Sequence, residues 1–513
     1  MNNLYLRRQN LQEWYFLMTF SYNLIILINK FNVFIMIRLL SLVFIFGLLI
    51  QTCSTDNKND KYNFVIIFVD DLGYGDLGTY GHPTIKTPNL DRMAYEGQKW
   101  TQFYSAASVC TPSRAGLLTG RLPIRNGMMG KNHGVFFPDS QNGIPTSEIT
   151  IPEELKKQGY KTAIIGKWHL GHKEEYLPLN HGFDYFFGIP YSNDMNKIES
   201  HENVKSNIRY PNYWKQYELK KLNSDNYNIP LIENYDIIER PVDQTKITSR
   251  FTKKAIEFIQ NNKNEEFFLY LAHPLPHIPL YAGDNFLGKS KRGLYGDVVE
   301  EIDHGVGLII NEIKQNNLED NTIIIFTSDN GPWLPYETHG GSAGILREGK
   351  GTTWEGGFRV PGIFWGGKIR PGIIHDLGST LDLFPTILSL SKSKLDEEKI
   401  IDGFDIKETL FRGKPTQRDV IFYYRNREIF AVRYGEYKAH FITQGAYNYP
   451  EPNQKKYLNE PLLFNLENDP SEKYNIYNEN KGVINEIDLI LKEHLKNLVP
   501  YKDLLEDRSG VEF

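Results

Sequence analysis

The sequence predicts an α/β protein: a large, doubly wound, mostly parallel sheet flanked by helices, followed by a smaller antiparallel sheet domain at the C-terminus. Three observations favour this fold class. Four apolar runs rich in β-branched residues are typical of strands buried on both faces. Segments with helical periodicity separate these runs, and each run ends in polar residues. Open α/β sheets bind ligands at the carboxyl ends of their strands, so these polar residues are candidates for one shared site.

The four predicted core strands are residues 64–69, 161–165, 266–272 and 322–327. The polar residues that follow them are Asp70 and Asp71, Lys167 and His169, His273 and His277, and Asp329 and Asn330. Adjacent carboxylates repel each other unless a cation is present, and Asp and Asn supply the oxygen ligands that calcium prefers. Simpler roles stay open, since Asp70 can cap the next turn, Lys167 can be a surface lysine and both histidines can be structural.

Three helices are predicted between these strands. One covers residues 150–158, with Thr150 as its N-cap and Gly159 as its stop. The other two cover residues 248–261 and 295–317. On the last of them we expect three acidic side chains to face solvent or a neighbouring chain segment: Asp297, Glu301 and Asp303.

Cys110 lies just before a further predicted helix. Pro112 suits the first helical turn because it lacks a backbone N–H, and Gly120 can end the helix. The side chain of Cys110 is therefore expected near the positive end of a helix, where an anion is favoured. The alternative is a small buried cysteine that caps the helix.

Composition narrows the function classes. The chain has 513 residues and a formal net charge of −5, which gives no electrostatic reason to expect nucleic-acid binding. It has 2 cysteines, Cys53 and Cys110, so disulfides cannot hold a fold of this size together. Stability is expected to come from the core, with a metal as a further contributor.

Residues 1–53 are predicted to be an export segment. Arg38 and the apolar run Leu39–Ile50 resemble a signal peptide if Met36 is the true start, and Cys53 lies where a bacterial lipoprotein would be lipidated. Residues 54–61 would form a polar tether. Plain secretion and a membrane anchor are the alternatives, and all three place the body outside the cytoplasm, in the periplasm or at the cell surface.

The rest of the chain divides into a main domain at 62–415 and a C-terminal part at 416–513. The C-terminal part contains short predicted strands at 420–424, 430–433, 437–442 and 462–465, and a terminal helix at 484–498. Within the main domain, residues 195–240 are polar and irregular, and we interpret them as a long loop near the site that sets substrate selectivity.

Six separated motifs between about residues 62 and 480 resemble the formylglycine-dependent sulfatases of the arylsulfatase type, in the alkaline phosphatase superfamily. The most specific is Cys-x-Pro-x-Arg, from Cys110 to Arg114. The others are Asp-Asp-Leu-Gly-Tyr-Gly-Asp from Asp70, Gly-Lys-Trp-His-Leu-Gly around Lys167, His277-x-Pro, Ser-Asp-Asn-Gly around Asp329, and the glycine-flanked Lys350. Six motifs in the family's order are far more specific than one.

The resemblance implies a reaction and a role for each residue. Cys110 would be oxidised to formylglycine by a sulfatase-maturing enzyme, and the hydrate of that aldehyde would be the nucleophile. One calcium ion would be bound by Asp70, Asp71, Asp329, Asn330 and the modified Cys110. Lys167, Ser192, His277 and Lys350 would bind the sulfate, with His277 as the acid for the leaving oxygen. His169 would remove a proton from the nucleophile, and Arg114 would hold the reacting groups in place.

The expected substrate is a sulfated poly- or oligosaccharide, an expectation that follows from predicted export and the long loop. Two alternatives stay open. One is a phosphonate or phosphate-ester hydrolase of the same superfamily, and the other is an inactive sulfatase fold that binds glycans.

Overall fold

The computed structural model describes residues 14–32, 61–197, 226–394, 398–446, 454–511 and 513. Contacts divide the chain into two compact units, residues 1–60 and 61–513. In the first unit, residues 14–32 form one helix, α1. The predicted signal segment from Met36, Cys53 and most of the tether lie outside the described residues. Across the described ranges, no helix combines the length and apolar character needed to span a membrane.

The second unit contains two sheets. Their strands are β1 (Asn63–Val69), β2 (Gln98–Tyr104), β3 (Lys161–Lys167), β4 (Tyr185–Ile189), β5 (Leu231–Glu233), β6 (Asp236–Glu239), β7 (Phe267–Ala272), β8 (Thr322–Ser328), β9 (Arg359–Gly366), β10 (Gly372–Ile374), β11 (Gly378–Ser379), β12 (Val420–Arg425), β13 (Glu428–Tyr434), β14 (Tyr437–Thr443) and β15 (Lys456–Asn465). The α-helices of this unit are α2 (Pro88–Glu96), α3 (Cys110–Thr119), α4 (Pro123–Asn126), α5 (Ile151–Lys157), α6 (Ile247–Asn262), α7 (Leu294–Gln315), α8 (Glu355–Phe358), α9 (Leu383–Leu390), α10 (Lys407–Arg412) and α11 (Lys481–Asn497).

The large sheet has the strand order β10-β2-β9-β8-β1-β7-β3-β4-β5-β6, with β11 also paired to β2. Its centre is parallel, since β1 pairs with both β7 and β8 and β3 pairs with β7 and β4. The strands β2, β9, β5 and β6 introduce antiparallel pairs on either side of that centre. The four predicted core strands are therefore β1, β3, β7 and β8, and they are consecutive neighbours.

Helices cover both faces of this sheet. On one face, β1 side chains such as Val65 and Ile67 pack with Phe251 of α6 and Val306 of α7. On the other, Phe64 and Phe68 belong to a second cluster that includes residues of α3, α5 and α9. Every residue of β1 is buried, as a strand covered by helices on both faces requires. The doubly wound α/β fold class is confirmed.

The C-terminal sheet is antiparallel throughout, in the order β12-β13-β14-β15. Ile484 and Ile487 of α11 pack against its residues Val432 and Leu463. The smaller antiparallel sheet predicted for the C-terminal part is confirmed, with clearly longer second and fourth strands than the sequence indicates.

The three acidic residues of α7 face neighbouring chain segments, one of the two orientations expected, and none faces solvent. Asp303 accepts the backbone N–H of Leu90 at 2.8 Å, Asp297 accepts that of Ser290 at 2.7 Å, and Glu301 accepts that of Gly283 at 2.8 Å. All three side chains are buried. These carboxylates satisfy backbone donors of loops and of the start of α2, which keeps α7 fixed against the rest of the domain.

Candidate active site

The carboxyl ends of β1 and β8 bring the two acidic motifs together. Val69 is the register partner of Ser328, so Asp70 and Asp329 follow adjacent strands at the same level. The backbone N–H of Asp329 donates to the carbonyl of Val69 at 3.0 Å, and that of Asp71 donates to Asp329 Oδ1 at 3.2 Å. Residues more than 250 positions apart in the sequence are thus hydrogen-bonded to each other in one acidic corner of the sheet edge.

Four oxygen-bearing side chains line this corner: Asp70, Asp71, Asp329 and Asn330, all buried. Asn330 Nδ2 donates to Asp71 Oδ1 at 2.7 Å, while Asn330 Oδ1 has no hydrogen-bond partner among the described residues. Asp71 also has a left-handed backbone, with φ of 64°. A non-glycine residue in that conformation is strained, and such strain concentrates at functional sites.

Three cationic side chains converge on these carboxylates. Arg114 Nη2 donates to Asp70 Oδ2 at 3.1 Å and to Asp329 Oδ2 at 3.0 Å. Lys167 Nζ pairs with Asp70, and Lys350 Nζ lies 2.7 Å from Asp71 Oδ1. Burial disfavours the charged form of Asp70, but Lys167 and the other nearby cations outweigh it and hold the pKa of Asp70 well below its usual range.

Cys110 is the first residue of α3 and faces the acidic corner. Its Sγ lies 3.4 Å from Asp70 Oδ1, and only 2% of the residue is exposed. Pro112 occupies the first turn, and Gly120 ends the helix with a left-handed φ of 66°, as the sequence predicts. Burial and then the Asp70 carboxylate raise the pKa of the Cys110 thiol well above its usual value, so the unmodified side chain is a protonated, poorly nucleophilic thiol.

Two histidines and a serine complete the group. Ser192 Oγ accepts a hydrogen bond from Lys167 Nζ at 3.1 Å and lies 3.4 Å from His277 Nε2. His277 Nδ1 donates to the carbonyl of Ile278, which leaves Nε2 facing Ser192 and, at 3.7 Å, Asp71 Oδ2. His169 Nε2 donates to the carbonyl of Phe136 at 3.0 Å. His169 Nδ1 is buried and has no partner among the described residues, so it can accept a proton.

The corner fits a hard divalent cation. Single ligand atoms from Asp70, Asp71, Cys110 and His277 all lie within 4.8 Å of one another. This group shares Asp70, Asp71 and Cys110 with the predicted ligand set, and His277 is an additional member. Burial raises the pKa of Asp71 to about 7, and the Asp70 and Asp329 carboxylates add to that increase against the opposing effect of Lys350. A cation would remove this repulsion and would give the unpartnered Asn330 oxygen a bond.

Two further residues lie near the predicted motifs. Trp333 was not predicted, yet its ring lies 5.4 Å from that of His277 and 4.4 Å from Lys350 Nζ. Its position three residues after Asn330, at the end of β8, is the only sequence signal for it. His273 is buried with its Nδ1 lacking a partner among the described residues. No described contact joins it to the acidic corner.

The chain is similar to known protein families and to solved structures over most of its length. The chain matches the family described as Sulfatase over residues 62–393 and the family described as C-terminal region of aryl-sulfatase over residues 416–511. A solved sulfatase from Pseudoalteromonas sp. superposes with a TM-score of 0.73 at 28% identity, covering 88% of this chain and 92% of that one.

Two animal enzymes are similar over most of their length. N-acetylgalactosamine-6-sulfatase of Mus musculus is 40% identical over 476 residues, which cover 85% of this chain and 87% of the relative. Arylsulfatase A of Homo sapiens is 40% identical over 449 residues, which cover 84% of this chain and 86% of the relative. The family matches and these relatives lead to one conclusion: the chain belongs to the sulfatase family and is a sulfuric ester hydrolase.

Proposed function

We propose that this sulfatase removes sulfate from a sulfated poly- or oligosaccharide, using formylglycine made from Cys110 and one calcium ion. The observation that carries the proposal is the convergence of three carboxylates, three cationic side chains and a cysteine in one buried corner. The three carboxylates equal the three cationic side chains in number. A bound divalent cation would add positive charge to attract an anionic ester.

Asp70, Asp71, Asp329 and Asn330 would hold the cation, together with the modified residue 110. When bound, it would supply positive charge against the sulfate oxygens in the transition state. Arg114 would keep Asp70 and Asp329 in place, because its guanidinium bridges them and Nη1 is itself tied to the carbonyl of Lys167 at 3.0 Å.

Oxidation of Cys110 would replace a poor nucleophile with a better one. A protonated thiol beside Asp70 is a poor nucleophile, whereas formylglycine would supply a hydrated aldehyde that can attack sulfur and be regenerated. Lys167, Ser192 and Lys350 would bind the sulfate oxygens, because both lysine charges act on residue 110 and Ser192 Oγ lies 3.1 Å from Lys167 Nζ. Trp333 would support Lys350 from below through the face of its ring.

The two histidines would move protons in opposite directions. Burial and then the nearby Lys167 hold the pKa of His169 well below its usual value, so His169 is neutral and its free Nδ1 can accept a proton. Burial and then Lys350 also lower the pKa of His277. A sulfate ester arriving next to Nε2 adds negative charge there, which favours the protonated ring that a leaving oxygen needs.

Substrate class, location and domain division belong to the same proposal. The mouse relative is named for a sulfated amino sugar, which supports a carbohydrate sulfate as substrate. Export with lipidation at Cys53 rests on the sequence pattern of residues 36–53. The division at 415/416 is supported by the two family matches, the first of which ends at residue 393 and the second of which begins at residue 416.

The test compares turnover of an aryl sulfate and an aryl phosphate by protein expressed with a sulfatase-maturing enzyme, alongside mass spectrometry of the peptide that contains residue 110. We expect formylglycine at 110 and a strong preference for the sulfate. Cys110→Ala should abolish turnover, while Cys53→Ala, the matched change at the other cysteine, should leave the rate of the purified enzyme unchanged.

Three results would contradict the proposal. A preference for aryl phosphate would favour a phosphate-ester hydrolase, and full activity of Cys110→Ala would exclude a nucleophile at this position. Binding of sulfated oligosaccharide without any release of sulfate would favour a glycan-binding protein. Release of sulfate from a panel of sulfated oligosaccharides, followed by ion chromatography, then identifies the preferred sugar.

A further inference from the structure

A buried network of charged and polar side chains joins the C-terminal sheet to residues 347–355, the segment around Lys350 that we call the Lys350 loop. Its members are Tyr104 of β2, Glu355 at the start of α8, Tyr423 of β12, Lys438 and His440 of β14, and Glu472 after β15. Each of these residues has 0% of its surface exposed. Burying a charged side chain costs free energy unless an opposite charge and hydrogen bonds compensate for the lost water. The contacts among these residues therefore decide whether the network is stable.

Glu355 is held by three donors from three strands. Its Oε1 accepts hydrogen bonds from Lys438 Nζ at 3.0 Å and from Tyr423 Oη at 2.7 Å, and its Oε2 accepts one from Tyr104 Oη at 2.6 Å. Burial raises the pKa of Glu355, but Lys438 and two nearby arginines outweigh burial and lower it overall. Glu355 is therefore an ionised carboxylate with a fixed orientation.

Glu472 continues the network to the backbone of the loop. Its Oε2 accepts the backbone N–H of Glu355 at 2.7 Å. Its Oε1 lies 3.0 Å from Lys438 Nζ and 2.7 Å from His440 Nε2. Lys438 thus bridges two carboxylates, one at the end of the Lys350 loop and one in the C-terminal part of the chain.

The residue before Glu355 is fixed from the same side. The Trp354 ring lies 3.6 Å from the Arg347 guanidinium and 4.2 Å from the His440 ring. Arg347 Nη1 also donates to the backbone carbonyl of Glu472 at 2.8 Å. Residues on both sides of Lys350 therefore depend on contacts with the C-terminal part.

The backbone at Lys350 and Gly351 is hydrogen-bonded to segments that lead to the active site. The backbone N–H of Lys350 donates to the carbonyl of Pro332 at 2.9 Å, and that of Gly351 donates to the carbonyl of Ser108 at 2.8 Å. Ser108 lies two residues before Cys110. A shift of Trp354 and Glu355 would be transmitted over four residues to the ammonium group beside Asp71 and to the chain segment that leads into α3.

We propose that Lys438 and Glu472 are positioning residues for the reaction: they fix the Lys350 loop from the C-terminal sheet so that Lys350 Nζ meets the sulfate. This inference rests on the proposed function, in which Lys350 binds the substrate. An apolar contact would hold the two parts together without the cost of buried charge, whereas a hydrogen-bonded carboxylate also fixes the direction of the loop backbone.

The test measures kcat, KM and inhibition by inorganic sulfate with an aryl sulfate as substrate, in the full-length matured enzyme. Lys438→Met should raise KM and the inhibition constant of sulfate at least tenfold, and Lys438→Arg should restore most of the loss. Tyr423→Phe, which removes a single donor to Glu355, should raise both about threefold. The matched controls are Lys456→Met, an exposed lysine of β15, and Tyr437→Phe, the neighbour of Lys438 whose side chain points to the opposite face of β14.

A double mutant separates positioning from general stability. If Lys438 acts through Lys350, adding Lys438→Met to Lys350→Ala should change KM less than twofold. Equal effects in both backgrounds, or a fall in kcat with KM and sulfate inhibition unchanged, would overturn the inference. If Lys438→Met does not fold, Tyr423→Phe and its double mutant with Lys350→Ala decide the question in the same way. A wild-type enzyme that releases no sulfate would instead contradict the proposed function.

Discussion

Removing the charge of Lys350 is expected to lower kcat/KM strongly while changing the stability of the fold much less. Lys350 Nζ lies 2.7 Å from Asp71 Oδ1 and 4.4 Å from the Trp333 ring. Burial disfavours its charge, but Asp71 and the other nearby acidic groups prevail and raise the pKa of Lys350. Lys350 is therefore a permanent cation at neutral pH. Lys350→Met keeps much of the side-chain length and removes only the charge and its hydrogen bonds.

The size of the effect follows from electrostatics. Two unit charges about 4 Å apart interact by about 4 kcal/mol at an effective dielectric constant of about 20. Part of that interaction is already made with Asp71 in the ground state, so less than the whole is gained by the sulfate in the transition state. Loss of one preorganised donor to developing negative charge costs about 2.7–4 kcal/mol. We expect kcat/KM for an aryl sulfate to fall by about 10²–10³-fold.

The assay is steady-state release of the aryl alcohol, with the melting temperature measured in parallel. Lys368→Met is the control, because Lys368 is a surface lysine whose side chain is 68% exposed. It should retain wild-type kinetics. If Lys350→Met keeps kcat/KM within fivefold of the wild type while remaining folded, then Lys350 does not contact the sulfate and the arrangement of cations proposed above is wrong.

Three further predictions concern the metal, a buried acid and a close backbone contact. Treatment with EDTA should lower the melting temperature measured by calorimetry, and added calcium should restore it. A free cation concentration of about 1,000 times Kd stabilises the folded state by about 4 kcal/mol. An unchanged melting temperature would exclude a bound metal. Burial raises the pKa of Glu301 to about 7, so the folded state loses stability as pH rises from 4.5 to 7. Glu301→Gln, which keeps an acceptor for Gly283, should raise the free energy of unfolding in urea by about 3 kcal/mol at pH 8 and by about 1 kcal/mol at pH 5; an equal gain at both pH values would refute this reasoning. A methyl group on Gly166 would lie 1.8 Å from the carbonyl oxygen of Ala272, so Gly166→Ala should destabilise by at least about 3 kcal/mol. Gly159 has a φ of 89° but open space around it, so Gly159→Ala should lower the free energy of unfolding by only about 1 kcal/mol in the same measurement. Equal losses for the two variants would contradict the steric argument.

The central strands could be predicted because the signal for each lies within a few consecutive residues. A run such as Phe64–Val69 is apolar at every position, and only a strand covered on both faces suits it. The polar residues after such a run must lie at the sheet edge, so Asp70 and Asp329 could be placed near each other once both strands were recognised. The N-cap of α5 is equally local, since Thr150 and Glu153 form a capping box within one turn.

Features that depend on distant chain segments could not be predicted. β2 was missed because its burial does not alternate regularly, and a register shift interrupts its pairing with β9 after Trp100. Full burial of Asp303 follows from the start of α2, more than 200 residues away, whose amides need an acceptor. The role of Glu355 likewise depends on Lys438, and no spacing in the sequence relates the two.

The burial of Cys110 sets an order of events during synthesis. Its sulfur is buried beside Asp70, and the charges of Asp329 and Lys350 also act on the thiol. Lys350 is translated about 240 residues after Cys110. At typical rates of about 5–20 residues per second, that delay is about 10–50 s. During this interval the thiol cannot yet be covered by all of its native neighbours, so the maturing enzyme of the proposed function would have access to it. Under that proposal, a cysteine that escaped oxidation before the domain folded would stay buried, and that molecule would lack its nucleophile however stable its fold.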